Sequence, residues 1–117
     1  MASEVHKETY EAYGRVWDSR TPGWKQLLAE IVDENCVYSN MVVSGAGLES
    51  LTQVIEAFHS ANPESVFATT EYMEQHGNSL GHWNLLDATG QVVMTGSNFT
   101  AYGETGRMIQ IAGFWGM

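Results

Sequence analysis

The sequence holds one cysteine, two prolines and five basic residues, and each shortage narrows what the protein is. Cys36 has no second cysteine for an intrachain disulfide, so the thiol is read as free, buried and kept in a reducing compartment. Lys7, Arg15, Arg20, Lys25 and Arg107 are scattered against fourteen acids, for a net charge of −9. Phosphate recognition needs clustered bases, so nucleic acid is excluded as a partner. No stretch approaches the roughly 20 apolar residues of a membrane span. The first turns of the chain mix charges and lack the apolar segment of a secretory signal. A soluble, cytoplasmic protein is expected. HExxH, CxxC and clustered His/Asp patterns are missing, so no metal site is expected. No glycine-rich phosphate loop sits at a strand–helix junction and no nucleophile elbow is visible, so no cofactor is expected.

What is present is apolar surface and turn chemistry. At 117 residues and 44% apolar content the chain supports one core, and residues 1–117 are read as one domain. Up to about residue 64 the apolar spacing is helical; beyond it, alternation and turns dominate. Ser3 is a fair N-cap for a helix over 3–18, with Tyr10, Tyr13 and Trp17 in one aromatic stripe. Thr21-Pro22 predicts a cap and first turn for a helix over 22–34, carrying Trp24, Leu27, Leu28 and Ile31. A short strand over 36–40 and a loop over 41–47 follow. Leu48, Leu51, Val54, Ile55 and Phe58 define a third helix, stopped by Asn62-Pro63. Strands are expected over 66–76, 80–86, 91–102 and 107–115, with a bulge at Gly96. Their short turns make an antiparallel meander. The predicted fold is α+β: three N-terminal helices packed on a curved antiparallel sheet, enclosing an apolar pocket.

This order of elements, and above all Gly96-Ser97-Asn98-Phe99-Thr100-Ala101-Tyr102-Gly103-Glu104-Thr105-Gly106-Arg107-Met108-Ile109 followed by Gly113-Phe114-Trp115, resembles the nuclear transport factor 2-like superfamily, which includes SnoaL-like cyclases and ketosteroid isomerases. The resemblance implies a cone-shaped α+β barrel and homodimers through the sheet. It puts Tyr13 at an oxyanion-hole tyrosine, Trp115 at a pocket tryptophan and Ile55 at a supporting tyrosine of the isomerases. Asn40 falls at their general-base aspartate and Asn98 at the aspartate that stays protonated and donates a hydrogen bond. The isomerase mechanism is a standard case of carboxyl groups tuned to opposite tasks.

The two asparagines change the chemistry implied. An amide cannot take up a proton near neutral pH, so Asn40 removes the base. Asn98 still donates a hydrogen bond, and with Tyr13 it forms a pair able to polarise a ligand oxygen. Trp17 and Trp115 are read as walls and Asn40 as a polar contact. Among the histidines, His6, His59 and His76 are read as solvated or marginal. His82 shares a strand face with Asn84 and Leu86; if that face lines the pocket, His82 is a base or ligand donor. Glu71 and Glu74 fall on opposite faces of one strand, so one of them could in principle point inward. The acidic balance disfavours anions and suits a small neutral or apolar ligand. Two readings stay open: cofactor-free isomerisation or cyclisation with Tyr13, Asn98 and His82 as the acting groups, or a non-catalytic ligand-binding or dimerisation module.

Overall fold

The computed structural model describes residues 2–116, with side chains from residue 4 onward. The described residues form helices α1 (Ala2–Val16), α2 (Trp24–Ile31) and α3 (Leu48–Ala61). They also form strands β1 (Val32–Ser39), β2 (Ser44–Ala46), β3 (Val66–Gln75), β4 (Asn78–Leu86), β5 (Val92–Tyr102) and β6 (Met108–Trp115). One curved, open sheet runs in the order β2-β1-β6-β5-β4-β3. The expected meander is β3 to β6, all antiparallel. The sheet as a whole is mixed, because β1 pairs with β6 in parallel. β2, α3 and the first three strands of the meander lie between them in the chain, and parallel pairing requires a long crossover of this kind.

The helices follow the apolar spacing, but their ends do not all follow the expected caps. The Ser3 side chain lies outside the described residues. In α1, Tyr10, Tyr13 and Val16 are buried. α2 starts after Gly23, whose φ of 68° favours a residue without Cβ, and it has no side-chain cap. The Thr21 hydroxyl instead donates to the Arg15 carbonyl at 2.7 Å and closes the α1–α2 corner. Residues 32–34 leave the helix for β1, which buries Val32, Cys36 and Tyr38. The expected loop over 41–47 contains β2, paired with β1. α3 ends at Asn62 before Pro63, as expected, and Leu51 and Ile55 anchor it in the core.

The β3–β4 turn consists of His76 and Gly77, both with positive φ (47° and 77°). Two-residue hairpin turns matched to strand twist have this form, so Asn78 and Ser79 belong to β4. No bulge lies at Gly96; the β5 ladder is regular there, and the shifts fall near its ends. A further shift in β3, between Thr69 and Glu71, brings Tyr72 opposite Gly81 and Glu74 opposite Ser79. Glu74 therefore points inward, beneath α1, and Glu71 outward.

Candidate functional site

Alternation on the last four strands turns Phe67, Trp83, Leu85, Met94, Asn98, Gly113 and Trp115 toward the helices. α1 crosses this face with Tyr10, Tyr13, Gly14 and Trp17, and α3 closes it with Leu51, Val54 and Phe58. Between them lies a cavity of about 290 Å³, at the lower end of small-molecule sites. The aromatic wall interlocks edge to face. Trp17 meets Phe58 at 5.2 Å and Phe67 at 5.8 Å, and Phe67 meets Trp83 at 4.9 Å. Such edge-to-face contacts stabilise the wall beyond the burial of the rings.

The polar groups of the cavity are few and oriented. The indole N–H of Trp83 donates to Asn98 Oδ1 at 3.2 Å. An indole N–H can only donate, so the oxygen end of the amide faces it and the NH2 end is aimed away. The Tyr10 hydroxyl lies over Gly81, the cross-strand partner of Asn98, and the Asn98 side chain partly offsets the effect of burial on it. Bare backbone makes room for this. A Cβ at Gly81 would lie 2.3 Å from Tyr10 Oη, and one at Gly96 would lie 2.3 Å from Trp83 Cζ2. Gly81 and Gly113 are the cross-strand neighbours of Asn98, one on each side. Burial pushes the Tyr10 and Tyr13 hydroxyls above the ordinary tyrosine range, so both remain protonated donors at neutral pH.

Of the residues singled out in the sequence, Tyr13, Trp17, Asn40, Asn98 and Trp115 line the cavity. Asn40 is committed elsewhere in part: its Oδ1 accepts the N–H groups of Val42 and Val43 at 2.8 and 2.9 Å. It builds the turn at the cavity rim, the ordinary use of a loop asparagine. Ile55 lies fully buried in the core. Trp83 and Leu85 take the inner face of β4, so the face holding His82 is the outer one and the condition for its pocket role fails. His82 lies there with Nδ1 2.5 Å from Ser97 Oγ and Nε2 3.7 Å from Glu71 Oε1. His6 is not solvated: its side chain is 13% exposed and pairs with Glu74. His59 Nε2 reaches the Val16 carbonyl at 2.9 Å.

Two residues of the site were missed, Tyr10 and Trp83. Their signal was the run of inward glycines, Gly81 and Gly96, which leave space only a large side chain fills. Among the described residues lining the cavity, none is Asp, Glu, His, Lys, Arg or Cys. The arrangement offers oriented hydroxyl and amide donors to an oxygen, within aromatic walls.

No family sequence model matches the chain, and no curated protein sequence does. Solved structures match over nearly its full length. A candidate isomerase of the SnoaL-like family from Agrobacterium tumefaciens superposes with a TM-score of 0.89 at 20% identity, over 97% of this chain and 99% of its own. A candidate SnoaL-like polyketide cyclase from Jannaschia gives 0.81 at 13% identity, over 96% and 85%. A candidate ketosteroid isomerase from Kribbella flavida gives 0.75 at 13% identity, over 97% and 79%. The chain therefore shares the α+β cone fold of these solved structures. Within that fold the likeness extends to SnoaL-like structures.

Proposed function

We propose that the protein binds a small, neutral, ring-bearing molecule in the cavity and holds one of its oxygens with Tyr10, Tyr13 and the Asn98 amide. The observation that carries this reading is a wall of aromatic rings and oriented neutral donors without a group that titrates near neutral pH. It favours the binding module over an isomerase or cyclase that depends on a protein base. The similarity to candidate isomerases and cyclases supports the ligand class, cyclic and oxygen-bearing. Calorimetric titration with β-naphthol, a neutral bicyclic phenol, tests it. Saturable one-to-one binding is expected, weakened about ten-fold in Asn98→Leu by the loss of one buried hydrogen bond. Failure of wild type to saturate would overturn the reading. Isomerisation of a β,γ-unsaturated cyclohexenone above the buffer rate would restore the enzyme.

The outer sheet face supports a homodimer as partner. Met73, Leu80, Phe99 and Ala112 align across four strands, and Met73, Leu80 and Phe99 are 64%, 38% and 36% exposed. A contiguous apolar row on a chain of net charge −9 is the kind of patch that a second copy covers. Sedimentation of wild type as a dimer and of Phe99→Lys as a folded monomer is expected; a monomeric wild type refutes it. A cytoplasmic setting fits the single buried thiol of Cys36. None of the described helices is long and apolar enough to cross a membrane.

A further inference from the structure

A second polar cluster lies beneath the N-terminal turns of α1, outside the cavity wall. His6 Nδ1 is 2.5 Å from Glu74 Oε2, and the Glu74 side chain is 9% exposed. The imidazole stacks on Tyr102 with centroids 4.2 Å apart and planes within 7°. The other oxygen of Glu74 accepts the Tyr72 hydroxyl at 3.0 Å. The Tyr102 hydroxyl lies 3.4 Å from that of Tyr72 and 3.0 Å from Ser79 Oγ. Side chains from α1, β3, β4 and β5 thus meet around one buried carboxylate.

A buried ionisable pair is a poor source of stability, because an apolar pair of similar volume serves as well. It is an effective register pin. Any slide of α1 along the sheet leaves Glu74 buried without His6, at the cost of an unpaired polar group in apolar surroundings. Tyr10 lies four residues after His6, on the same helix face. Its ring packs 5.3 Å from that of Tyr72. Its hydroxyl rests on Gly81 so closely that no Cβ fits there. Gly81 is the cross-strand partner of Asn98, so the approach of the Tyr10 hydroxyl to the Asn98 amide depends on where α1 lies along the sheet, and the pin one turn earlier sets that position.

We propose that His6 and Glu74 are positioning residues for Tyr10, holding α1 in the register that aligns the Tyr10 hydroxyl with the Asn98 amide. The proposal rests on the cavity reading for its functional meaning, but its geometry is testable without a ligand. In His6→Phe the ring stack on Tyr102 is kept and the hydrogen bond to Glu74 is lost. The variant is expected to fold, with the Asn98 side-chain amide protons exchanging about ten-fold faster by NMR. His6→Asn, whose amide nitrogen falls near the position of Nδ1, is expected to restore wild-type protection. The double variant His6→Leu/Glu74→Met is expected to melt no lower than wild type while losing that protection and binding β-naphthol about five-fold more weakly. Wild-type exchange in folded His6→Phe, or an equal loss of protection in His6→Asn, overturns the proposal. Failure of wild type to bind β-naphthol rejects the cavity reading alone, since the exchange measurements use the free protein.

Discussion

Trp83 and Asn98 are joined across β4 and β5 by an indole-to-amide hydrogen bond of 3.2 Å. The bond is diagonal: the direct partner of Trp83 is Gly96, and the indole reaches over that bare position to the residue two further on. It fixes which end of the amide meets the cavity. Trp83→Phe keeps an aromatic ring and deletes the donor, so the amide is free to flip. The expected result is a five- to ten-fold loss of β-naphthol affinity, about 1 kcal/mol, by calorimetry. Unchanged affinity in the folded variant would show that the indole does not orient Asn98.

Gly81 and Tyr10 are coupled by contact. Alanine at 81 would place Cβ 2.3 Å from Tyr10 Oη and 2.4 Å from Cζ, and neither the ring nor the strand backbone can yield that much without a shift. Gly81→Ala is expected to destabilise the protein by about 1–3 kcal/mol in urea unfolding, as overpacking does. In a Tyr10→Leu background the same change is expected to cost little. A coupling energy near zero in this double-mutant cycle would contradict the packing described.

Much of the fold was legible from periodicity and turns, because both are local. The three helices, the four strands of the meander and the stop at Asn62-Pro63 all follow from neighbours in sequence. The misplaced features depend on distant ones. Thr21 spends its hydroxyl on the Arg15 carbonyl, so Gly23 with its left-handed φ starts α2. Which of Tyr10 and Tyr13 lies over Gly81, beside Asn98, depends on the placement of α1 along the sheet, which side-chain spacing within a helix does not encode. The faces of β4 were separated correctly by alternation, but nothing local states which face is inside; packing of Trp83 on Phe67 decides it. Tyr13 as a donor and Trp115 as a wall were legible only through the family resemblance, and Trp17 through the aromatic stripe of α1; all three line the cavity.

Alkaline pH is expected to destabilise the protein through groups that burial keeps neutral. Burial, aided by the charge of Asp33, pushes the Cys36 thiol from 9.0 up to about 11. Burial also raises Tyr10, Tyr13 and Tyr102 above the usual tyrosine range. In each case the unfolded chain releases its proton first. Stability is therefore fully present below about pH 8.5 and falls as pH rises through the folded values, by up to about 1.4 kcal/mol per pH unit for each group. Thermal melts should show the decline beginning near pH 9 in wild type and only near pH 10 in Cys36→Ala, where the tyrosines alone remain. Identical profiles would mean that the thiol is not held neutral.

His82 pairs with Ser97, the chain neighbour of Asn98, and Asn98 pairs with Gly81, the chain neighbour of His82, yet their side chains leave opposite faces of the sheet. His82 is bound to Ser97 Oγ on the outer face, where its side chain is 40% exposed. A base in that place has the whole sheet between it and the cavity, and proton transfer needs hydrogen-bond reach or one bridging water. His82→Ala is therefore expected to leave β-naphthol affinity within about two-fold of wild type, since it removes no cavity contact. The same substitution alters the outer face beside Phe114, so a change in dimer dissociation with ligand affinity intact is the pattern expected if a second copy covers that face. A loss of affinity as large as that of Asn98→Leu would place His82 in the ligand site and overturn the assignment of faces.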